Sequence, residues 1–73
     1  MDFSKQFGAR VRKLRRDQEL TQDEIADRAG IHRTYLTSLE GGNDRSPTLE
    51  VANRLAKALG TPLSEIIRGI EEG

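Results

Sequence analysis

Residues 29–42 read AGIHRTYLTSLEGG. On a helix beginning near His32, Leu36 and Leu39 point to one side and Thr34, Thr37 and Ser38 to the other. The outer side is neither apolar nor densely charged. It carries short hydroxyl groups, with Arg33 and Tyr35 on its flanks. Short side chains let a helix backbone come close to a partner. A guanidinium at the helix start can bond guanine O6 and N7 together, a contact worth about 1–3 kcal/mol of discrimination. This is recognition chemistry. The sequence shows no nucleophile–base constellation, no phosphate-cradling glycine loop and no metal set, so no enzyme activity is expected. Asp23, Glu24 and Asp27 are the only dense carboxylates, and helix initiation accounts for the first two.

The elements that must position these groups belong to one small domain spanning residues 1–73. A core built from so few residues usually needs a disulfide, a metal or a partner chain. The chain has no cysteine and a single histidine. Disulfides and thiolate zinc sites are excluded, and neither a cofactor nor a small-molecule ligand is expected. A second copy is the expected supplement. No apolar run is long enough to span a membrane, and the N-terminus lacks a signal-peptide core, so a cytoplasmic location is expected. Formal net charge is zero. Its distribution is uneven: residues 1–16 sum to +5 and residues 17–27 to −5. Segregation of this kind presents a basic surface on a neutral molecule.

The chain reads as five helices without strand alternation, an all-α fold. The first runs to about Gln18 on a stripe of Phe3, Phe7, Val11 and Leu14, with Lys5, Arg12, Lys13 and Arg16 facing away. Thr21-Gln22-Asp23-Glu24 is a capping box opening the second, and Leu20 and Ile25 take the positions of a hydrophobic staple. Ile25, Ala26 and Ala29 form its inner face, and Gly30 ends it. The third is the stretch above, with His32 as its cap, closed by Gly41-Gly42. Thr48 caps the fourth, whose expected buried side is Leu49, Ala52, Ala56 and Leu59. After Gly60, Thr61 caps the fifth with Pro62 at its first position; it carries Leu63, Ile66, Ile67 and Ile70.

The second and third helices, joined by a turn of about three residues at Gly30, form a helix-turn-helix over about residues 21–41. The chain resembles the phage-repressor and Cro-like helix-turn-helix family, the Xre family. The matching residues are Thr21-Gln22, Ala26, Gly30, Leu36, Leu39-Glu40-Gly41-Gly42, Arg45-Ser46-Pro47 and Leu59-Gly60. The run His32-Arg33-Thr34-Tyr35-Leu36 is further similar to the small controller proteins of restriction–modification systems.

The resemblance implies that the third helix enters the major groove of double-stranded DNA, in agreement with the helix wheel. Arg33, Thr34, Thr37 and Ser38 then face base edges. Tyr35 contacts sugar, a thymine methyl or phosphate, or else covers the core edge. The resemblance also places Gln22 beside a phosphate, where free N–H groups at a helix start attract anions. Arg45, with Asn43, is expected to touch the DNA backbone. It implies that Arg15 and Glu40 form a structural ion pair rather than a reading element. Glu19 stands where the family commonly has glycine; a positive φ there would store strain.

A single recognition helix covers few base pairs, so a homodimer on an inverted repeat is expected, with a dimerisation region at about residues 51–70. Leu63, Ile67 and Ile70 are candidates for the interface, joined by Val51 and Leu55; the alternative is that all are intramolecular core. No residues remain for a sensor domain, so the protein's own concentration is the expected signal, as in a self-regulating switch. Asp23 and Asp27 make RNA polymerase a further candidate partner. A competing class is an antitoxin or other protein-interaction module that retains DNA binding.

Overall fold

A computed structural model describes residues 2–43 and 46–72, the last two by their backbone alone. Among the described residues there are five helices and no strand: α1 (Phe3–Asp17), α2 (Gln22–Ala29), α3 (Arg33–Glu40), α4 (Leu49–Leu59) and α5 (Leu63–Glu72). No helix is long and apolar enough to cross a membrane among them. α1 packs on α3 and α5, α2 on α3 and α4, and α4 on α5. Their shared core is built from Phe7, Val11, Ile25, Leu36, Leu39, Leu55, Ile66 and Ile70, with alanines of α2 and α4 filling the narrow gaps.

Local chemistry sets where each helix starts. The Asp2 carboxylate accepts the Lys5 N–H at the head of α1. Thr21 forms the expected capping box: its hydroxyl accepts the Glu24 N–H at 3.1 Å, and the Glu24 carboxylate accepts the Thr21 N–H at 3.0 Å. The hydrogen bond from Thr21 holds the Glu24 carboxyl below its ordinary value. The stability it adds is therefore present at neutral pH and lost as pH falls through that lowered value. His32 occupies the cap position of α3 without a side-chain cap bond. Pro62 stands one position earlier than expected: α5 begins at Leu63, and the Pro62 carbonyl accepts the Ile66 N–H.

Four helices close in the same way. At the end of α2 the Ile31 N–H donates to the Ala26 carbonyl and the Gly30 N–H to that of Asp27, a Schellman closure that requires a left-handed residue at position 30. The pattern repeats at Gly42 and Gly60. It repeats once more at the end of α1, where the left-handed residue is Glu19, with φ 57°. A side chain in that conformation costs about 1–2 kcal/mol that glycine avoids.

Two apolar residues stand where the helix stripes did not put them. Leu49, expected inside, is 80% exposed: it lies at the edge of the α4 stripe in the first turn, and Leu55 fills the core in its stead. Phe3 is 42% exposed and stacks on Phe7, while Leu14 is half-buried. Gly8 has a role that the stripe does not show. A Cβ at Gly8 would collide with the Leu39 carbonyl oxygen, so α1 crosses the end of α3 in direct backbone contact.

Glu19→Gly is expected to raise stability by about 0.5–1 kcal/mol, the conformational relief less the greater freedom of glycine in the unfolded chain. Thermal unfolding followed by circular dichroism should show a Tm higher by a few degrees. An unchanged or lowered Tm would mean that Glu19 carries no strain.

Candidate nucleic-acid interface

The close crossing of α1 over α3 places Arg15 beside Glu40. They are 8% and 7% exposed. The guanidinium grips the carboxylate with two bonds, Nε to Oε2 and Nη2 to Oε1, each 2.8 Å. Its remaining arm, Nη1, donates to the Leu20 carbonyl at 2.8 Å, which ties down the turn before α2. The hydrogen bond to Glu40 raises the Arg15 pKa above its ordinary value. A buried ion pair offsets its desolvation only with such geometry and with its other polar atoms satisfied.

The network continues outward. Gln22, half-buried at the first position of α2, donates from Nε2 to Glu40 Oε1 at 3.1 Å. The Thr37 hydroxyl lies 2.9 Å from Gln22 Oε1 and 3.0 Å from the Arg33 carbonyl, so its one proton serves either acceptor. One line of hydrogen bonds thus runs from the buried pair through the start of α2 to the outward face of α3. It fixes the angle between the two helices and the direction in which α3 turns its polar side.

That side is open. Arg33, Thr34 and Thr37 are exposed and Ser38 is half-buried, while Leu36 and Leu39 on the opposite side are in the core. Tyr35 is half-buried and packs against the core. Asn43 is exposed just past α3, with its backbone N–H bonded to the Ser38 carbonyl. Arg45 lies outside the described residues. Arg33 has a partner that the sequence did not suggest: its Nε is 3.2 Å from Asp23 Oδ1. Both side chains are well exposed, and such a pair contributes only about 0–1 kcal/mol, so Arg33 can exchange it for another partner.

The expected dimer contacts divide. Leu55 and Ile70 are 0% and 2% exposed inside the single chain and cannot be offered to a second copy, which corrects their assignment. They are core because α4 and α5 pack directly on one another. Val51, Leu63 and Ile67 are half-buried and retain accessible apolar surface.

A helix-turn-helix family model matches residues 11–66, most of the chain. The protein belongs to the helix-turn-helix regulators of the Xre, phage-repressor type. As a member of that family it is a DNA-binding transcriptional regulator. This helix-turn-helix regulator is 40% identical over 72 residues to an HTH-type transcriptional regulator of Sinorhizobium fredii, a match covering 99% of this chain and 92% of that one. It is 36% identical to the control protein C.SmaI of Serratia marcescens, over 92% of this chain and 79% of the relative. Among solved structures it is similar to the restriction–modification controller protein C.AhdI of Aeromonas hydrophila, with a TM-score of 0.79 and 34% identity. That match covers 85% of this chain and 92% of C.AhdI.

Two outcomes test the roles assigned within this helix-turn-helix. Glu40→Ala leaves Arg15 buried without its partner and should cost about 3–5 kcal/mol in chemical denaturation, most of the stability of so small a domain. A variant as stable as wild type but weak on DNA would make Glu40 a reader instead. Asp23→Asn should free Arg33 and remove a repelling charge, strengthening duplex binding a few-fold at low salt. Fluorescence anisotropy would show the gain shrinking as salt rises. Weaker binding would instead make Asp23 the residue that aims Arg33.

Proposed function

We propose that the protein acts as a homodimer on an inverted-repeat operator and regulates its own gene, as a cytoplasmic, non-catalytic switch. The observation that carries this reading is the outward face of α3. Arg33, Thr34 and Thr37 stand exposed on it, with Gln22 bonded alongside and the apolar face locked into the core. A helix presented in this way fits the major groove, with Arg33 at its head in position for a bidentate contact to guanine. The free N–H groups at the start of α2, next to Gln22, suit a phosphate.

Pairing supplies what one helix lacks. Two copies double the base contacts and call for half-sites about 34 Å apart or a multiple of that. Leu63 and Ile67 on α5, with Val51 on α4, are the accessible apolar residues that suit the contact between copies. Likeness to the control protein C.SmaI and the controller protein C.AhdI favours self-regulation governed by the protein's own concentration.

Selection of bound duplexes from a random pool, at two salt concentrations, tests this reading. It should enrich an inverted repeat and show affinity falling steeply with salt. No enrichment, or a lone half-site, would contradict it. Ile67→Lys should give a folded monomer in sedimentation analysis, with weakened operator binding. Outright unfolding of that variant would place Ile67 in the core instead.

A further inference from the structure

The hydrogen bonds beneath the outward face of α3 run in one direction, and the buried ion pair sets it. The Glu40 carboxylate receives two bonds from Arg15 and has only acceptors to offer. Gln22 must therefore turn its amide nitrogen toward Glu40, 3.1 Å away, because the flipped amide would set oxygen against oxygen. That leaves Gln22 Oε1 facing Thr37, 2.9 Å from its hydroxyl. An amide oxygen only accepts. The second neighbour of the hydroxyl, the Arg33 carbonyl at 3.0 Å, also only accepts. The single proton of Thr37 is thus held on the protein side by whichever acceptor it chooses.

Thr37 is nevertheless exposed, in the middle of the polar face. What it shows to the outside is a lone pair and a methyl group, with no donor. Arg33, one helical turn earlier, shows the opposite: a guanidinium has donors and no acceptor.

Resting on the reading of α3 as the helix in the major groove, we propose that Thr37 is a one-way reader of base edges. Its hydroxyl oxygen accepts a hydrogen bond from the exocyclic amino group of a base, adenine N6 or cytosine N4, and cannot bond guanine O6 and N7 or thymine O4. Arg33 and Thr37 divide the groove between them, the first taking acceptors and the second a donor. The polarity of Thr37 is fixed from inside the domain, through Gln22, by a carboxylate that never meets the DNA.

Duplex selection with wild type and with Thr37→Ala locates the base pair whose preference depends on this side chain. At that pair, 2-aminopurine in place of adenine, or pyrimidin-2-one in place of cytosine, preserves pairing and clears the amino group from the major groove. The analogue that matches the selected base should weaken wild-type binding about three- to ten-fold in fluorescence anisotropy, the usual effect of losing one neutral hydrogen bond. Which analogue acts tells adenine from cytosine. Thr37→Ser keeps the hydroxyl and should lose as much as wild type. Thr37→Ala should bind the modified and unmodified duplexes equally. A deazapurine lacking N7 at the same pair should leave wild-type affinity in place. The proposal is overturned if no base pair depends on Thr37, if wild type is indifferent to loss of the amino group, or if loss of N7 is what weakens binding. An equal loss for Thr37→Ala also overturns it, since the amino group then meets another residue. A wild-type protein that selects no operator overturns the DNA-binding reading itself, whereas a selected operator whose amino group Thr37 ignores leaves that reading intact.

Discussion

The forked bond between Arg15 and Glu40 is the constraint on which the rest of this domain depends. Three of the five helices meet at it. Arg15 comes from α1 and Glu40 from the end of α3, and the carboxylate also takes the amide of Gln22 at the start of α2. The third arm of the guanidinium holds the Leu20 carbonyl. An apolar substitute of equal volume could fill the same space and avoid the desolvation of two charges. It could not bond to Gln22 and through it to Thr37, and so would not fix how α3 is rotated about its own axis. The pair is thus tied to orientation as much as to stability.

Orientation matters because the outward polar face is small. α3 is eight residues long, and its outward face carries few polar side chains. A rotation of one residue would bring Leu36 or Leu39 outward and bury hydroxyls. Direct contact of the Gly8 backbone with Leu39 and the Schellman closure at Gly42 restrain the far end of α3, while the Gln22–Thr37 bond restrains its middle. Arg33, at the head of that face, is engaged by Asp23.

Much of this was legible in the residues. The capping box at Thr21, the turn at Gly30 and the split faces of α3 follow from local chemistry and helical period, and the structure repeats them. Glu19 in a glycine slot could be anticipated, and its φ is indeed positive. What escaped depends on neighbours. A helix wheel gives a face but not what covers it, so Leu49 was placed inside, and Leu55 and Ile70 at an interface between copies. The bond between Asp23 and Arg33 spans two helices, and its two residues already had local explanations. Gly8 left a readable trace, since glycine inside a helix costs about 1 kcal/mol and calls for a reason such as close packing.

The central claim is that the polar face of α3 meets base edges in the major groove. It is tested most directly by selecting duplexes in parallel with wild type and with a variant carrying Thr34→Ala and Ser38→Ala, after confirming equal melting temperatures. The account predicts altered base preference at the positions that α3 covers, with half-site spacing preserved. An identical preference from an equally stable variant would contradict it.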